Sequence, residues 1–377
     1  MSSFRLCFGV WLLALAPIAA TAFAALPAQA KEIVVGQVAP FSGSQAVTGK
    51  AIHAGAKLYI DHVNGQGGIN GQQIRLVTRD DAQKPQETVR LVKSLVQEEA
   101  PVALLGTVGT DNVKALIDDG VLVRSSLPLV GAVSGASAVI GAPAVFVVKA
   151  SYHDEVSRLF EKLSNLTITR VGLVYQDDAL GQDVLAGADK AAANRGIQLL
   201  AKVGYPRNTT EVSMAVIEML KAEPQAIFLG ATTAAAIEFV RQYRARGGLA
   251  TIYGLSIIDT QQLLTQLGPE TARGFAFSVV LPLESQHTLA VNREYLKLKA
   301  GAQNPDLSAR SIEGFIAAKA LVTALRQNSS AGNPLRALQS MRSQDLGGYM
   351  LDFGTPGRPG SALVDFAMIG SGGRIIH

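Results

Sequence analysis

Three short segments combine the residue types that hold a small anion. They are Pro40 to Thr48, with Phe41-Ser42-Gly43-Ser44-Gln45 inside it, Gly106-Thr107-Val108-Gly109-Thr110-Asp111, and Val130-Gly131-Ala132-Val133-Ser134-Gly135-Ala136. Each follows a short apolar run. Glycines leave backbone N–H groups open, small hydroxyls add donors, and a helix starting at such a loop brings the positive end of its dipole. Ser, Thr and Gly are also ordinary cap and turn residues. The weight therefore rests on three such loops in one half of the chain. Bond-breaking chemistry has no comparable support. None of the five histidines sits in an HExxH spacing. The acid pairs Asp80-Asp81, Asp118-Asp119 and Asp177-Asp178 are adjacent, and neighbours on a strand point to opposite faces. Ser134 is not in a GxSxG elbow. Gly65-Gln66-Gly67-Gly68-Ile69-Asn70 misses GxGxxG at its last position and stands between a helix and a strand, the reverse of the dinucleotide context. One cysteine supports neither an internal disulfide nor a thiolate zinc site. No enzyme, cofactor or metal site is expected.

The elements that must carry these loops alternate. Strands are predicted at 33–38, 74–77, 102–105, 129–130 and 145–148, with helices at 49–63, 85–98 and 112–123 between them. The rhythm restarts with strands at 171–175, 199–203, 226–229, 252–253 and 275–280 and helices at 182–194, 212–221 and 234–246. Short apolar strands alternating with amphipathic helices predict parallel sheets covered on both faces. The fold class is thus α/β, with two doubly wound lobes. A helical tail follows, at 295–299, 308–328 and 336–341, then a Gly/Pro-rich stretch and a late strand at 363–369. In open parallel sheets, ligands bind outside the C-terminal ends of the strands, where the three loops lie.

The 377 residues are 48% hydrophobic and 17% charged, which excludes a disordered chain. A net charge of +4 with no Lys/Arg run longer than two gives no nucleic-acid footprint. Residues 1–30 read as an export signal: Arg5, an apolar stretch from Leu6 to Leu26, then Ala28-Gln29-Ala30 before Lys31. Cleavage there would remove the only Cys (Cys7) and the only Trp (Trp11) and leave 33 basic against 30 acidic residues. No later stretch is long and apolar enough to span a membrane, so an exported, soluble mature chain is expected.

Ordered along the chain are Gln37-Val38-Ala39-Pro40-Phe41-Ser42-Gly43, Asn64-Gly65-Gln66-Gly67-Gly68-Ile69-Asn70-Gly71, Asp80-Asp81, the two Gly/hydroxyl loops above, Val174-Tyr175-Gln176-Asp177-Asp178, Tyr205-Pro206-Arg207-Asn208-Thr209 and Glu313-Gly314-Phe315. This set resembles the periplasmic solute-binding proteins of branched-chain amino acid ABC transporters, in the type I periplasmic-binding fold. The resemblance implies two lobes joined by a three-strand hinge, crossing near Lys149, Pro282 and Tyr349. Lobe 1 would take 31–149 and 282–348, and lobe 2 would take 150–281 and 349–377. It makes the compartment of the exported chain the periplasm, and implies a monomeric receptor that closes over a small amino acid or related carboxylate and docks on the transmembrane subunits of an ABC permease. Carried over by position, the ligand contacts would be Gly109, Thr110, Ser134, Gly135 and Ala136 on the first lobe. On the second they would be Tyr175, Asp178, Leu180, Thr232, Thr233 and Ser256. The chain departs from leucine receptors where those place an aromatic (here Leu180) and an acid for the ligand ammonium (here Ser256). An unpaired buried ammonium is costly, which argues against an α-amino acid unless Asp178 takes that role, and leaves a small organic acid, an aromatic acid or an amide-like solute open. Two other uses of the fold stay open: a ligand sensor for a signalling partner, and an exported α/β enzyme.

Overall fold

The structure, a computed structural model, describes residues 1–3, 9, 32–284, 286–327 and 334–377. Almost all of the predicted export segment, Cys7 and Trp11 included, lies outside the described residues. The first sheet is built from β1 (Ile33–Ala39), β2 (Ile74–Asp80), β3 (Ala103–Leu105), β4 (Leu129–Val130) and β5 (Val145–Phe146). Their order is β2-β1-β3-β4-β5, all parallel. The helices between them are α1 (Ala46–Gly65), α2 (Pro85–Glu99), α3 (Thr110–Asp119) and α4 (Val121–Arg124). The sequence predicts one helix over 112–123. The chain makes two, because Gly120 at φ +76° ends α3 and starts α4.

The second sheet follows α5 (Tyr152–Asn165). Its parallel strands are β6 (Arg170–Asp177), β7 (Gln198–Pro206), β8 (Ala226–Gly230), β9 (Thr251–Gly254) and β10 (Ala276–Val279). They alternate with α6 (Ala179–Arg195), α7 (Ser213–Ala222), α8 (Thr233–Ala245) and α9 (Thr260–Ala272). The chain then returns to the first sheet as α10 (Ala290–Gly301), α11 (Ser311–Gln327), α12 (Pro334–Gln339) and the hairpin β11 (Gln344–Asp345) and β12 (Met350–Leu351). Phe315, Ile316 and Leu321 of α11 share a core with Val35, Leu105 and Val130 of the first sheet. Finally β13 (Asp365–Ile369) pairs antiparallel with β10, and β14 (Ile375–Ile376) pairs antiparallel with β13. The second sheet is therefore mixed at one edge, in the order β14-β13-β10-β9-β8-β6-β7.

Two lobes result, each with cores on both sheet faces. Val38, Leu95 and Leu116 fill the outer face of the first, and Val174, Phe239 and Phe277 fill one face of the second. Three strands of chain connect them. The Tyr349 hydroxyl shares its one proton between Val148 O (2.8 Å) and Val280 O (3.1 Å), tying two connections together. Beyond Tyr349 the chain stays on the first lobe. The Phe353 ring meets the Phe146 ring edge-on at 5.2 Å, and Gly360 N donates to Val147 O at 2.8 Å. Among the described residues no helix is long and apolar enough to cross a membrane.

Candidate ligand-binding site

The strand ends of both sheets face each other across a narrow cleft. Four helices start at its walls: α1 beside Gln45 and Thr48, α3 at Gly109-Thr110, α6 at Asp178, and α8 at Thr232-Thr233. Four positive dipole ends from two lobes thus converge on one space. Two arginines add full charges, Arg207 from the end of β7 and Arg310 from the residue before α11. The cavity left between them is about 40 Å³, room for about three waters.

The lobes are closed on one another. Arg207 Nε lies 3.1 Å from Asp111 Oδ2 across the cleft and 3.4 Å from Asp178 Oδ2 on its own lobe. Arg207 Nη2 donates to Gln83 O (3.2 Å) and Asn112 Oδ1 (3.1 Å) of the first lobe. From the other side, Arg310 Nη1 donates to Ser256 O at 2.8 Å and Ser308 Oγ donates to Asp259 Oδ2 at 2.7 Å.

Of the positions expected from sequence, Gly109, Thr110, Asp178, Leu180, Thr232 and Thr233 line this cavity together. Asp178 caps α6, accepting from Gly181 N (3.1 Å), and also accepts from Gln176 Nε2 (2.5 Å). Burial is the main reason its carboxyl sits above the usual aspartate range, with the bond from Gly181 opposing it. The Thr110 and Ser134 hydroxyls bond each other at 2.9 Å, which places Ser134 directly behind the wall. Gly135 and Ala136 pass behind it as well. Gly135 O accepts from Tyr152 N (2.8 Å), and Ala136 is buried with Tyr152 and Val156. Tyr175 points away from the cleft, its ring over Gly204 of β7, and its neighbour Gln176 faces the cavity instead. Ser256 borders a second cavity and gives its N–H and hydroxyl to Glu155, both at 2.9 Å.

Gln83, Tyr152, Gln176, Arg207 and Arg310 line the cleft without having been singled out from sequence. Burial pushes the Tyr152 and Tyr205 phenols well up, so both are neutral. Tyr205 accepts from Thr232 N at 3.1 Å and thereby fixes the start of α8. Behind Arg310 lies a buried charge cluster. Glu313 takes Arg310 Nη2 at 2.5 Å and Lys149 Nζ at 3.0 Å, and burial pushes Lys149 below its ordinary range. Arg310 is 5% exposed, and its Nε is buried without a partner. Among the described residues no group of three or more His, Cys, Asp or Glu is placed to hold a metal ion.

Two α/β lobes closed over a polar cleft are the arrangement of a ligand-binding receptor. The family agrees: its profile, described as "Periplasmic binding protein", matches residues 32–373, and the chain belongs to it. Among curated proteins, the "Leu/Ile/Val-binding protein homolog 8" of Brucella suis biovar 1 (strain 1330) is 25% identical over 360 residues, 89% of this chain and 87% of that one. The crystal structure of a substrate-binding periplasmic protein from Ralstonia solanacearum has a TM-score of 0.88 at 44% identity, covering 92% of this chain and 99% of that one. The solute-binding protein of an ABC transporter from R. palustris, in complex with benzoate, shares the fold, with a TM-score of 0.79 at 18% identity over 92% and 95% of the two chains. The chain is thus a periplasmic binding protein with type I architecture.

Proposed function

We propose that this protein is the solute receptor of an ABC importer. It would be exported to the periplasm by a segment within residues 1–30, bind a small carboxylate between its lobes, and offer the closed form to the permease transmembrane subunits as a monomer. The hinge we propose crosses near Lys149, near Pro282 and, since Phe353 still packs on Phe146, between Gly360 and Asp365 rather than at Tyr349.

The observation that carries the carboxylate is the charge balance of the cleft. Two arginines and four helix N-termini face it; Asp178 is the one carboxylate among its lining residues, and with Asp111 and Glu313 just outside the lining it pairs the arginines, so the helix N-termini are the part left uncompensated. Asp178 is already committed to Gly181 N, Gln176 and Arg207. A ligand ammonium would have to share Asp178 with these partners, through the remaining acceptor site on Oδ1, whereas a carboxylate without an amino group makes no such demand. Both ligand types are named among the similar proteins: one relative carries a Leu/Ile/Val-binding name and one neighbour holds benzoate.

The test is the melting temperature of the purified protein, freed of carried-over ligand by unfolding and refolding, against amino acids and their deaminated counterparts. A ligand at about 100 times its Kd adds roughly 2.7 kcal/mol, several degrees in Tm for a chain of this size. Stabilisation by acids lacking the amino group is the expected result. Stabilisation by Leu, Ile or Val that disappears in Asp178→Asn would assign Asp178 to an ammonium instead. A melt unmoved by every solute would overturn the receptor reading.

A further inference from the structure

A second and larger cavity opens beside the cleft, on its hinge side, with a volume of about 340 Å³. Both lobes wall it. Phe277, Val279 and Leu283 come from β10 and the crossing after it, Ile258 and Leu264 from around the start of α9, and Ile312 from α11 of the first lobe. These side chains make an apolar chamber. Small-molecule sites run from about 300 to 1,000 Å³; the chamber falls in that range and the cleft, at about 40 Å³, does not.

Arg310 stands at the seam, lining the chamber and the cleft alike. Its two terminal nitrogens are engaged by Ser256 O and Glu313, while Nε is buried and unpartnered. Leaving a buried donor unfilled costs as much as its lost hydration. Nε is closed to the chamber, so what Arg310 can offer a carboxylate oxygen is the second N–H on each terminal nitrogen, and charge-assisted bonds to guanidinium are the strong kind. Glu284 also lines the chamber, so a diacid would set its second carboxylate against another.

We propose that the ligand is an amphipathic monocarboxylate, its carboxylate bound at Arg310 and its hydrocarbon body, straight-chain or aryl, seated in the chamber walled by Phe277, Val279, Leu264 and Ile312. The inference rests on the carboxylate reading above and adds the class of acid. The chamber is completed only when the lobes meet, because Ile312 and Ile258 belong to different ones. Burying the ligand's apolar body therefore favours the closed form, which is the differential affinity a closing receptor needs.

Isothermal titration of the stripped protein with acetate, butanoate, hexanoate, octanoate and phenylacetate, and with the alkanols of matching length, tests this. Affinity should rise about fourfold per methylene, the worth of one buried CH₂, or by two orders of magnitude from butanoate to octanoate. The alkanols should bind at least a hundredfold more weakly than the acids. Leu264→Trp, which fills the chamber from a partly buried helix position, should flatten the length series by weakening octanoate more than butanoate. A flat series in the wild type, or a steep series untouched by both Leu264→Trp and Val279→Phe, overturns the chamber. If short acids or amino acids bind with a flat series, the receptor reading stands and the chamber falls. If no acid binds, both fall. The wild-type series alone decides the matter should the variants not fold.

Discussion

Glu155 is a carboxylate with almost no water. It is 1% exposed, accepts from Ser256 N and Ser256 Oγ at 2.9 Å each, and takes a further bond from the Ser278 hydroxyl. Burial pushes its pKa above the ordinary 4.5, with Lys149 and the serine bonds opposing. A carboxyl raised in the folded state stays protonated there after the unfolded chain has lost its proton. Its contribution is therefore full below about pH 4.5 and is lost as pH rises through the folded value. Glu155→Gln keeps an acceptor for the serines and removes that loss. The stability difference, Gln variant minus wild type, read from Tm, should grow from pH 4 to pH 8, by up to about 1.4 kcal/mol for each pH unit inside the window. A difference that stays constant or shrinks with pH would show that Glu155 is not held above its unfolded pKa. At this scale the sequence was legible in part. The cap residues Gly109, Thr110, Asp178 and Thr232 reached the cleft because a helix start fixes its own location. Tyr175 did not, because β6 is apolar on both faces and the sequence gives no clue which of two neighbours faces the ligand. Arg207, quoted only as part of a motif, and Arg310 were not read as cleft residues for another reason: closure brings each to the cleft from a separate stretch of chain.

The pairing of α1 with α11 brings the return segment back to the first lobe and sets Arg310 and Glu313 in place. It is a backbone contact. A Cβ on Gly314 would come within 2.0 Å of Ile52 O, and one on Gly55 within 1.8 Å of Ser311 O. Neither oxygen can swing aside as a side chain could. Gly314→Ala must therefore force the helices apart, at about 1–3 kcal/mol for overpacking, and lower Tm by several degrees. Gly301→Ala, near the end of α10 with nothing within 4 Å of the added carbon, should be neutral or slightly stabilising. Equal melts for the two variants would refute the close-approach argument. Most elements were readable from periodicity, but α5 and α9 were missed. The first had a signal: Ser151 and Asp154 form a reciprocal capping box, each side chain taking the other's N–H at 3.1 Å, ahead of Val156, Leu159, Phe160 and Leu163. The second is broken by Gly268 at φ +74° followed by Pro269, so no uninterrupted helical period marks it.

For the whole molecule, the variable that matters is the balance between open and closed lobes. Two latches hold the closed form. Arg207 reaches Asp111, Gln83 O and Asn112 on one side of the cleft, and Ser308 reaches Asp259 on the other. A latch that works without ligand raises the closed population and hence the apparent affinity, because affinity scales with the fraction of competent molecules. Replacing Arg207 would confound this with lost ligand contact, since Arg207 lines the cavity. Asp111 does not line it, so Asp111→Asn weakens the latch alone. The ion pair is about a quarter exposed on both sides, which limits its worth to roughly 1 kcal/mol or less. The expected result is a larger radius of gyration by small-angle scattering without ligand, and an affinity lower by up to about fivefold. The ligand-saturated scattering curve should match the wild type, because bound ligand restores closure. A variant that scatters like the wild type without ligand yet still loses affinity would place Asp111 in direct service of the ligand. A variant unchanged in both would leave closure to the hinge and to the ligand itself.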